Sequence, residues 1–143
     1  MNSGPITASA IISYATALEG RSADFYRALA ERFPEQGQTF EAFGLACQKS
    51  SAQITRTYQE TVTDALETGF AFPELRLDAY ELHVDLPDEI SLECAVDRAI
   101  ALEETAIAFY QDVGEQSASL LAAIGRAFKS AARVRRRRLA KLS

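Results

Sequence analysis

The sequence predicts an all-α fold: a bundle of four helices, arranged as two antiparallel helical hairpins that one long crossover joins. Three observations predict it. Four segments carry apolar or small residues at intervals of three and four, which is the helical period. Only a few residues separate the first segment from the second and the third from the fourth, which favours hairpins. A sequence repeat also relates the two hairpins to each other.

The first hairpin is predicted to contain helices at about 7–33 and 38–67. Thr7 or Ser9 is a suitable N-cap for the first of them, and Pro34 stops it because proline cannot continue a helix. The inward stripe of the first helix is predicted to be Ile11, Ala15, Leu18, Ser22, Phe25, Leu29 and Phe33. That of the second helix is Phe40, Phe43, Cys47, Ser51, Ile54, Tyr58 and Val62.

The second hairpin is predicted to contain helices at about 87–115 and 119–142. Pro87 suits a first helical turn, and Asp88 and Glu89 complement the positive end of the helix dipole there. The inward stripe of the third helix is Leu92, Ala95, Ala99, Leu102, Ala106, Phe109 and Val113, and that of the fourth includes Leu121, Ile124, Phe128 and Ala131.

The crossover at about 68–86 is too apolar to be a solvated linker. A connection that runs along the bundle would cover these side chains, and it would complete a single domain over residues 1–143. Its apolar side chains are Phe70, Phe72, Leu75, Leu77, Tyr80, Leu82, Val84 and Leu86.

The repeat places a glutamate and an aromatic pair at equivalent positions of the first and third helices. "ALEGRSADFY" at 17–26 and "ALEETAIAFY" at 101–110 are identical at five of ten positions. The second and fourth helices match loosely, through "KSSAQ" at 49–53 and "KSAAR" at 129–133. Each half is therefore predicted to be one copy of the same hairpin.

This repeated glutamate motif resembles the ferritin-like superfamily, in particular its rubrerythrin-type diiron proteins. The resemblance covers nearly the whole chain. It implies that each half supplies one Glu from its first helix and a Glu-x-x-His from its second, and that the six side chains hold two irons. It also implies peroxide reduction or iron oxidation as the activity. The additional rubredoxin-like domain of rubrerythrins, with one iron on four cysteines, has no counterpart here, since the chain has two cysteines.

Carried over residue by residue, the first-helix ligands correspond to Glu19 and Glu103. The second-helix ligands have no counterpart: residues 43–58 contain no Asp, Glu or His, and none follows Glu115. The only histidine, His83, belongs to the crossover. We therefore expect a degenerate site with vestigial glutamates and no cofactor. Iron or another divalent metal held by an atypical carboxylate site is the alternative.

Two carboxylates in an apolar bundle repel each other, and burying them unpaired is costly, so the sequence must compensate them. Lys49 on the second helix and Arg135 and Arg138 on the fourth are the candidate cations. The two arginines continue the inward stripe of the fourth helix. A guanidinium is well suited because it can bond a carboxylate through two N–H groups.

The basic run "RVRRRR" at 133–138 has three interpretations. It is a solvated helix end that the dipole favours, a source of inward salt bridges, or a contact for an anion, a membrane surface or nucleic acid. The net charge of −5 and the absence of interleaved aromatics argue against nucleic acid.

Composition predicts a globular cytoplasmic protein, with 48% hydrophobic and 24% charged residues. The N-terminal stretch lacks the basic region of a signal peptide, and no apolar run is long enough to span a bilayer, so no membrane association is expected. Cys47 and Cys94 are expected to be reduced thiols.

Three functions follow from these observations. The first is a non-catalytic bundle that acts by association, as a homodimer or with a protein partner. The second is a metal-binding oxidoreductase or peroxidase with an atypical site. The third is a small-molecule binder that uses the space of the missing irons. Whether the chain is an enzyme is left open, with the balance against it because of the missing ligands.

Overall fold

The structure, a computed structural model, describes residues 6–61, 71–72, 76–117 and 122–143. Helix α1 packs along α2, α3 packs along α4, and α2 also contacts α4. The predicted all-α class is confirmed, with four helices packed against each other. The helices are α1 Ala8–Arg32, α2 Gly37–Thr61, α3 Leu92–Ser117 and α4 Ala122–Leu142.

The ends of α1 follow from its sequence. The Thr7 side chain accepts a hydrogen bond from the backbone N–H of Ala10 at 3.2 Å, so Thr7, not Ser9, caps the helix. The helix ends at Arg32, two residues before Pro34. A 3₁₀ turn, Pro34–Gln36, leads directly into α2. The first hairpin therefore has the short connection that the sequence predicts.

Helix α3 begins at Leu92 and not near residue 87, where it was predicted. The backbone N–H of Ile90 donates to the Pro87 carbonyl at 3.3 Å, which closes a turn in place of the first helical turn. Ser91 then accepts from the Cys94 N–H at 3.1 Å and acts as the cap. Three other predicted features, the end of the second helix near 67, the crossover at 68–70 and 73–75, and the start of the fourth helix near 119, lie outside the described residues.

The described part of the crossover lies against the bundle. Tyr80 is buried, the Tyr14 hydroxyl donates to its carbonyl, and the Tyr80 hydroxyl donates to Asp112 Oδ2 at 2.5 Å. Leu82 is buried as well. At Ile6–Thr7, just before α1, the chain pairs antiparallel with Ala71–Phe72 of the crossover. These contacts hold the connection against both hairpins.

The core is one cluster of apolar side chains from all four helices. Its aromatic part links the two hairpins, since the Tyr14 and Phe109 ring centroids lie 4.6 Å apart. Among the described helices, none combines the length and the apolar character that crossing a membrane requires.

Candidate functional site

Glu19 and Glu103 both lie in the centre of the bundle. Their exposed fractions are 1% and 0%. Each occupies the inward stripe of its helix because small residues one turn away leave space for a carboxylate: Ser22 is buried on α1 and Ala106 on α3. The repeated motif thus buries two acidic groups in the same core.

Arg135 lies between the two glutamates. Its Nη2 is 2.9 Å from Glu19 Oε1 and its Nη1 is 3.0 Å from Glu103 Oε2. Burial disfavours the charge on Arg135, but the Glu19 and Glu103 carboxylates outweigh it and hold the pKa of the guanidinium well above its ordinary value. Arg135 is therefore a permanent cation in the core, shared by both hairpins.

Arg138 supplies a second cation one helical turn further along α4. Its Nη1 lies 3.2 Å from Glu103 Oε2 and 3.3 Å from the Cys47 sulfur. Its guanidinium carbon is 5.7 Å from the Tyr26 ring centroid and 5.6 Å from that of Phe43, within the range of cation–π contacts. Two arginines thus balance two glutamates, and the cluster is neutral.

Two tyrosines complete the cluster by reaching across to the opposite half. The Tyr26 hydroxyl on α1 donates to Glu103 Oε2, and the Tyr110 hydroxyl on α3 donates to Glu19 Oε2. Burial, together with the neighbouring carboxylates, raises the pKa of both phenols far above the ordinary value, so both stay protonated donors. The repeat therefore encodes a reciprocal exchange of hydrogen bonds.

Sequence analysis assigned no polar role to Ser22 and Cys47. Ser22 Oγ accepts from Arg135 Nη2 at 3.0 Å and donates to the Leu18 carbonyl at 2.7 Å. Cys47 accepts from Arg138. Burial, which outweighs its two arginine neighbours, raises the pKa of this thiol to about 12, so it is not a nucleophile at neutral pH. Because Ser22 follows Glu19 by three residues and shares its helical face, the sequence spacing could have predicted that the Ser22 hydroxyl lies beside the carboxylate.

Lys49, predicted as a compensating cation, lies outside the cluster. It is exposed, and among the described residues it makes no ion pair with either glutamate. Lys49 follows Cys47 by two positions, about 200° around α2, so a helix that turns Cys47 inward turns Lys49 outward. His83 and Glu104 are exposed too.

Hydrogen bonds are unevenly distributed over the carboxylate oxygens. Glu103 Oε2 accepts from Tyr26, Arg135 and Arg138, whereas the buried Glu103 Oε1 has no hydrogen-bond partner among the described residues. Glu19 Oε1 also lacks one there; its 2.9 Å approach to Arg135 is an ion pair without hydrogen-bond geometry. The cluster is balanced in charge, and its hydrogen bonds concentrate on Glu103 Oε2.

These residues do not fit the two metal ions that the resemblance implies. Within the described part of the chain, no three His, Cys, Asp or Glu side chains lie close enough to hold a metal ion. The space between Glu19 and Glu103 is taken by the Arg135 guanidinium, whose positive charge repels a cation. The arrangement can neutralise two buried carboxylates and hold α4 against α1 and α3 through its ion pairs.

Comparison of the chain with protein-family models, with curated proteins and with solved structures finds no match in any of the three.

Proposed function

We propose that the chain is a ferritin-like bundle of the rubrerythrin type whose diiron site has become a buried ionic cluster, and that it acts as a non-catalytic structural or binding protein. The observation that carries this proposal is the Arg135 guanidinium, 2.9 Å from Glu19 and 3.0 Å from Glu103. A fixed cation there, together with Arg138 beside Glu103, compensates both glutamates without any charge from α2.

The proposed topology has two antiparallel hairpins. Its support in the first hairpin is that Gly37 lies against Ala30 and Gly44 against Ala23, so that α1 and α2 run in opposite directions. The same reversal in the second hairpin is supported by the pairs Gly114 with Lys129, Gln111 with Arg136 and Glu103 with Arg138. The crossover then joins α2 to α3 along the bundle, as in one-crossover bundles.

The non-catalytic role is supported by the state of each group in the cluster. Both carboxylates are at most 1% exposed and ion-paired, so a substrate has no access to them. Both phenols and the Cys47 thiol have a raised pKa and are protonated at neutral pH, so none is a base or nucleophile. The role left for the cluster is structural: its ion pairs attach α4 to α1 and α3.

Metal analysis tests this proposal. The purified protein, offered Fe(II), Mn(II) or Zn(II) in turn, is expected to retain far less than one equivalent of metal and to melt at an unchanged temperature, because a ligand that does not bind the native state cannot stabilise it. Stoichiometric metal that raises the melting temperature, and that the double variant Glu19→Gln/Glu103→Gln loses, would establish the oxidoreductase alternative instead.

A surface on the first hairpin supports association with a second copy. Leu45 is 66% exposed and is the one large hydrophobic side chain with high exposure among the described residues. It borders a pocket of about 640 Å³ between α1 and α2. Arg27, Glu31 and Glu41 also line the pocket, so its rim carries both signs of charge. Since both signs of charge lie on this rim, we expect a twofold contact to bring Arg27 of one copy near a carboxylate of the other.

The oligomeric state tests this surface. Light scattering after size exclusion is expected to give a dimer for the wild type and a monomer for Leu45→Glu, since a charge placed at the contact cannot be desolvated. Gln48→Glu, at an exposed position of α2 outside the pocket lining, is the matched control and is expected to remain dimeric. A wild-type monomer at high concentration contradicts the homodimer.

A further inference from the structure

Helix α4 separates its basic residues into two sets. Residues 122–143 contain eight Lys and Arg and no Asp or Glu. Arg135 and Arg138 are buried in the cluster. The other six are exposed and follow one side of the helix, opposite to the buried pair; we call them the cationic stripe. They are Arg126, Lys129, Arg133, Arg136, Arg137 and Lys141.

Neither the helix dipole nor local pairing accounts for the cationic stripe. The dipole favours cations only in the last turn, where Lys141 lies, whereas Arg126 and Lys129 lie in the first half of α4. Like charges four residues apart, such as Lys129 and Arg133, destabilise a helix. Among the described residues, no carboxylate forms an ion pair with any member of the stripe. Repulsion within the stripe therefore lowers the stability of α4 in the isolated chain.

Three members of the stripe line one concave pocket. Lys129, Arg133 and Arg136 line a space of about 310 Å³ between α3 and α4, together with Gln111 and Glu115. Gln111 Oε1 accepts from Arg136 Nη2 at 2.9 Å, which orients that guanidinium. Among the described residues of the lining, Glu115 is the only carboxylate, so they give the pocket an excess of two positive charges.

The backbone of α3 also positions Lys129. A Cβ atom added at Gly114 would lie 2.9 Å from Lys129 Cγ and 3.4 Å from its Cε, so the lysine stem crosses α3 where the side chain is missing. Glycine in the interior of a helix costs about 1 kcal/mol relative to alanine. At this position it allows the lysine to pack beside the pocket.

We propose that this pocket binds the phosphate group of a soluble small molecule, an activity independent of the central cluster. Guanidinium groups bond phosphate oxygens in pairs, and an ammonium adds a point charge. Glu115 offsets one of the three cations, and one phosphate group of roughly −1.5 to −2 charge matches the two that remain. The concave shape favours a discrete group over a flat membrane, and among the described residues no aromatic side chain lines the pocket to stack on a base.

Calorimetric titration of the full chain with sodium phosphate at constant ionic strength tests the proposal, with AMP as a second arm that distinguishes a nucleotide-borne group from a free one. The variant Lys129→Gln/Arg133→Gln/Arg136→Gln is expected to weaken binding at least about tenfold, since each removed charge-assisted hydrogen bond is worth close to that factor. The matched control, Arg126→Gln/Arg137→Gln/Lys141→Gln, removes the same charge from the same helix outside the pocket and is expected to change binding less than about threefold.

Gly114→Ala tests the geometry without any change in charge. The new methyl group displaces the Lys129 stem, so binding is expected to weaken about threefold, a fraction of one charge-assisted hydrogen bond. Gly20→Ala, where an added Cβ meets nothing within 4 Å, should leave binding unchanged.

Three results would overturn the proposal. Inorganic phosphate and AMP could both fail to bind at millimolar concentration. The two triple variants could weaken binding equally, which would mean diffuse attraction and no pocket. Duplex DNA or phosphatidylserine vesicles could bind where inorganic phosphate does not, which would assign the stripe to a macromolecule.

Discussion

The sequence repeat matches α2 with α4, yet the two helices contribute different groups to the central cluster. Helix α4 contributes both arginines, whereas α2 contributes the Cys47 sulfur. In the alignment of 49–53 with 129–133, Arg135 corresponds to Thr55 and Arg138 to Tyr58. Helices α1 and α3, by contrast, retain the same Glu and Tyr in both copies.

This difference shows that the acids of the cluster follow the repeat and the cations do not. Two equivalent carboxylates need compensation, but because Arg135 reaches both, one helix can supply it. Two inward arginines from each hairpin would instead leave an excess of buried positive charge, which is as costly as the excess of negative charge.

Among the tests of this asymmetry, the variant Arg135→Met is expected to have the largest effect. It leaves two buried carboxylates with one arginine, so the free energy of unfolding should fall by about 3–5 kcal/mol. Urea denaturation measures it. Arg133→Met, two residues earlier and exposed, is the control and should change stability by less than about 0.5 kcal/mol. A loss below about 1 kcal/mol for Arg135→Met, the level of an exposed pair, contradicts the role of α4.

The two equivalent glutamates should then differ from each other. Glu103 accepts from both arginines and Tyr26, whereas among the described residues the charged and phenolic partners of Glu19 are Arg135 and Tyr110. Glu103→Gln should therefore destabilise the protein by about 3 kcal/mol, and Glu19→Gln by about 1 kcal/mol less, the value of a hydrogen bond. Equal losses on denaturation would mean that Arg138 adds nothing to the pairing.

The crossed tyrosines should have smaller and similar effects. Tyr26→Phe and Tyr110→Phe each remove one hydroxyl donor from a buried carboxylate, and each should cost about 1.5–3 kcal/mol. Their double variant should lose close to the sum if the two halves act independently. Thermal unfolding measures all three. Loss in only one of the single variants would break the symmetry that we assign to α1 and α3.

The pH dependence of stability tests the contribution of Cys47, the residue of α2 in the cluster. The pKa of Cys47 rises from 9.0 to about 12 in the folded chain, and those of Tyr26 and Tyr110 rise as well. Above pH 9 the unfolded chain loses these protons while the folded chain keeps them, so stability should be complete below pH 9 and should fall as pH rises from there. Cys47→Ala should reduce this slope, whereas Cys94→Ala, at an exposed thiol, should leave it unchanged.

The smallest effect is expected at Lys49. Because it lies on the exposed face of α2, Lys49→Gln should change the free energy of unfolding by less than about 0.5 kcal/mol. A loss of several kcal/mol would mean that α2 does supply a cation to the cluster.

Much of the cluster could be predicted from sequence because it depends on helical spacing. Glu19 and Glu103 lie at positions of the apolar stripes, and Arg135 and Arg138 continue the stripe of α4, so the period of 3.6 turns all four inward. Helical spacing does not turn Lys49 inward. Cys47 occupies the inward stripe of α2, and a cation two positions further along the helix cannot share that face.

Other features depend on partners that are distant in sequence. The repeat pairs Glu19 with Tyr26 on one helix, but each carboxylate bonds the tyrosine of the other half, 77 or 91 residues away. The late start of α3 was also missed, because the turn closed by Ile90 and Pro87 competes with the helical turn that Pro87 favours locally.

The helical class, the internal repeat and the inward positions of Glu19, Glu103, Arg135 and Arg138 follow from local periodicity, so the amino-acid pattern predicts them. Contacts between helices settle which cation meets which carboxylate, that the tyrosines cross between halves, and that three surface cations share one pocket with Gln111. The physical reason is that a pairing depends on distances of a few ångströms between helices, and no pattern within one helix records them.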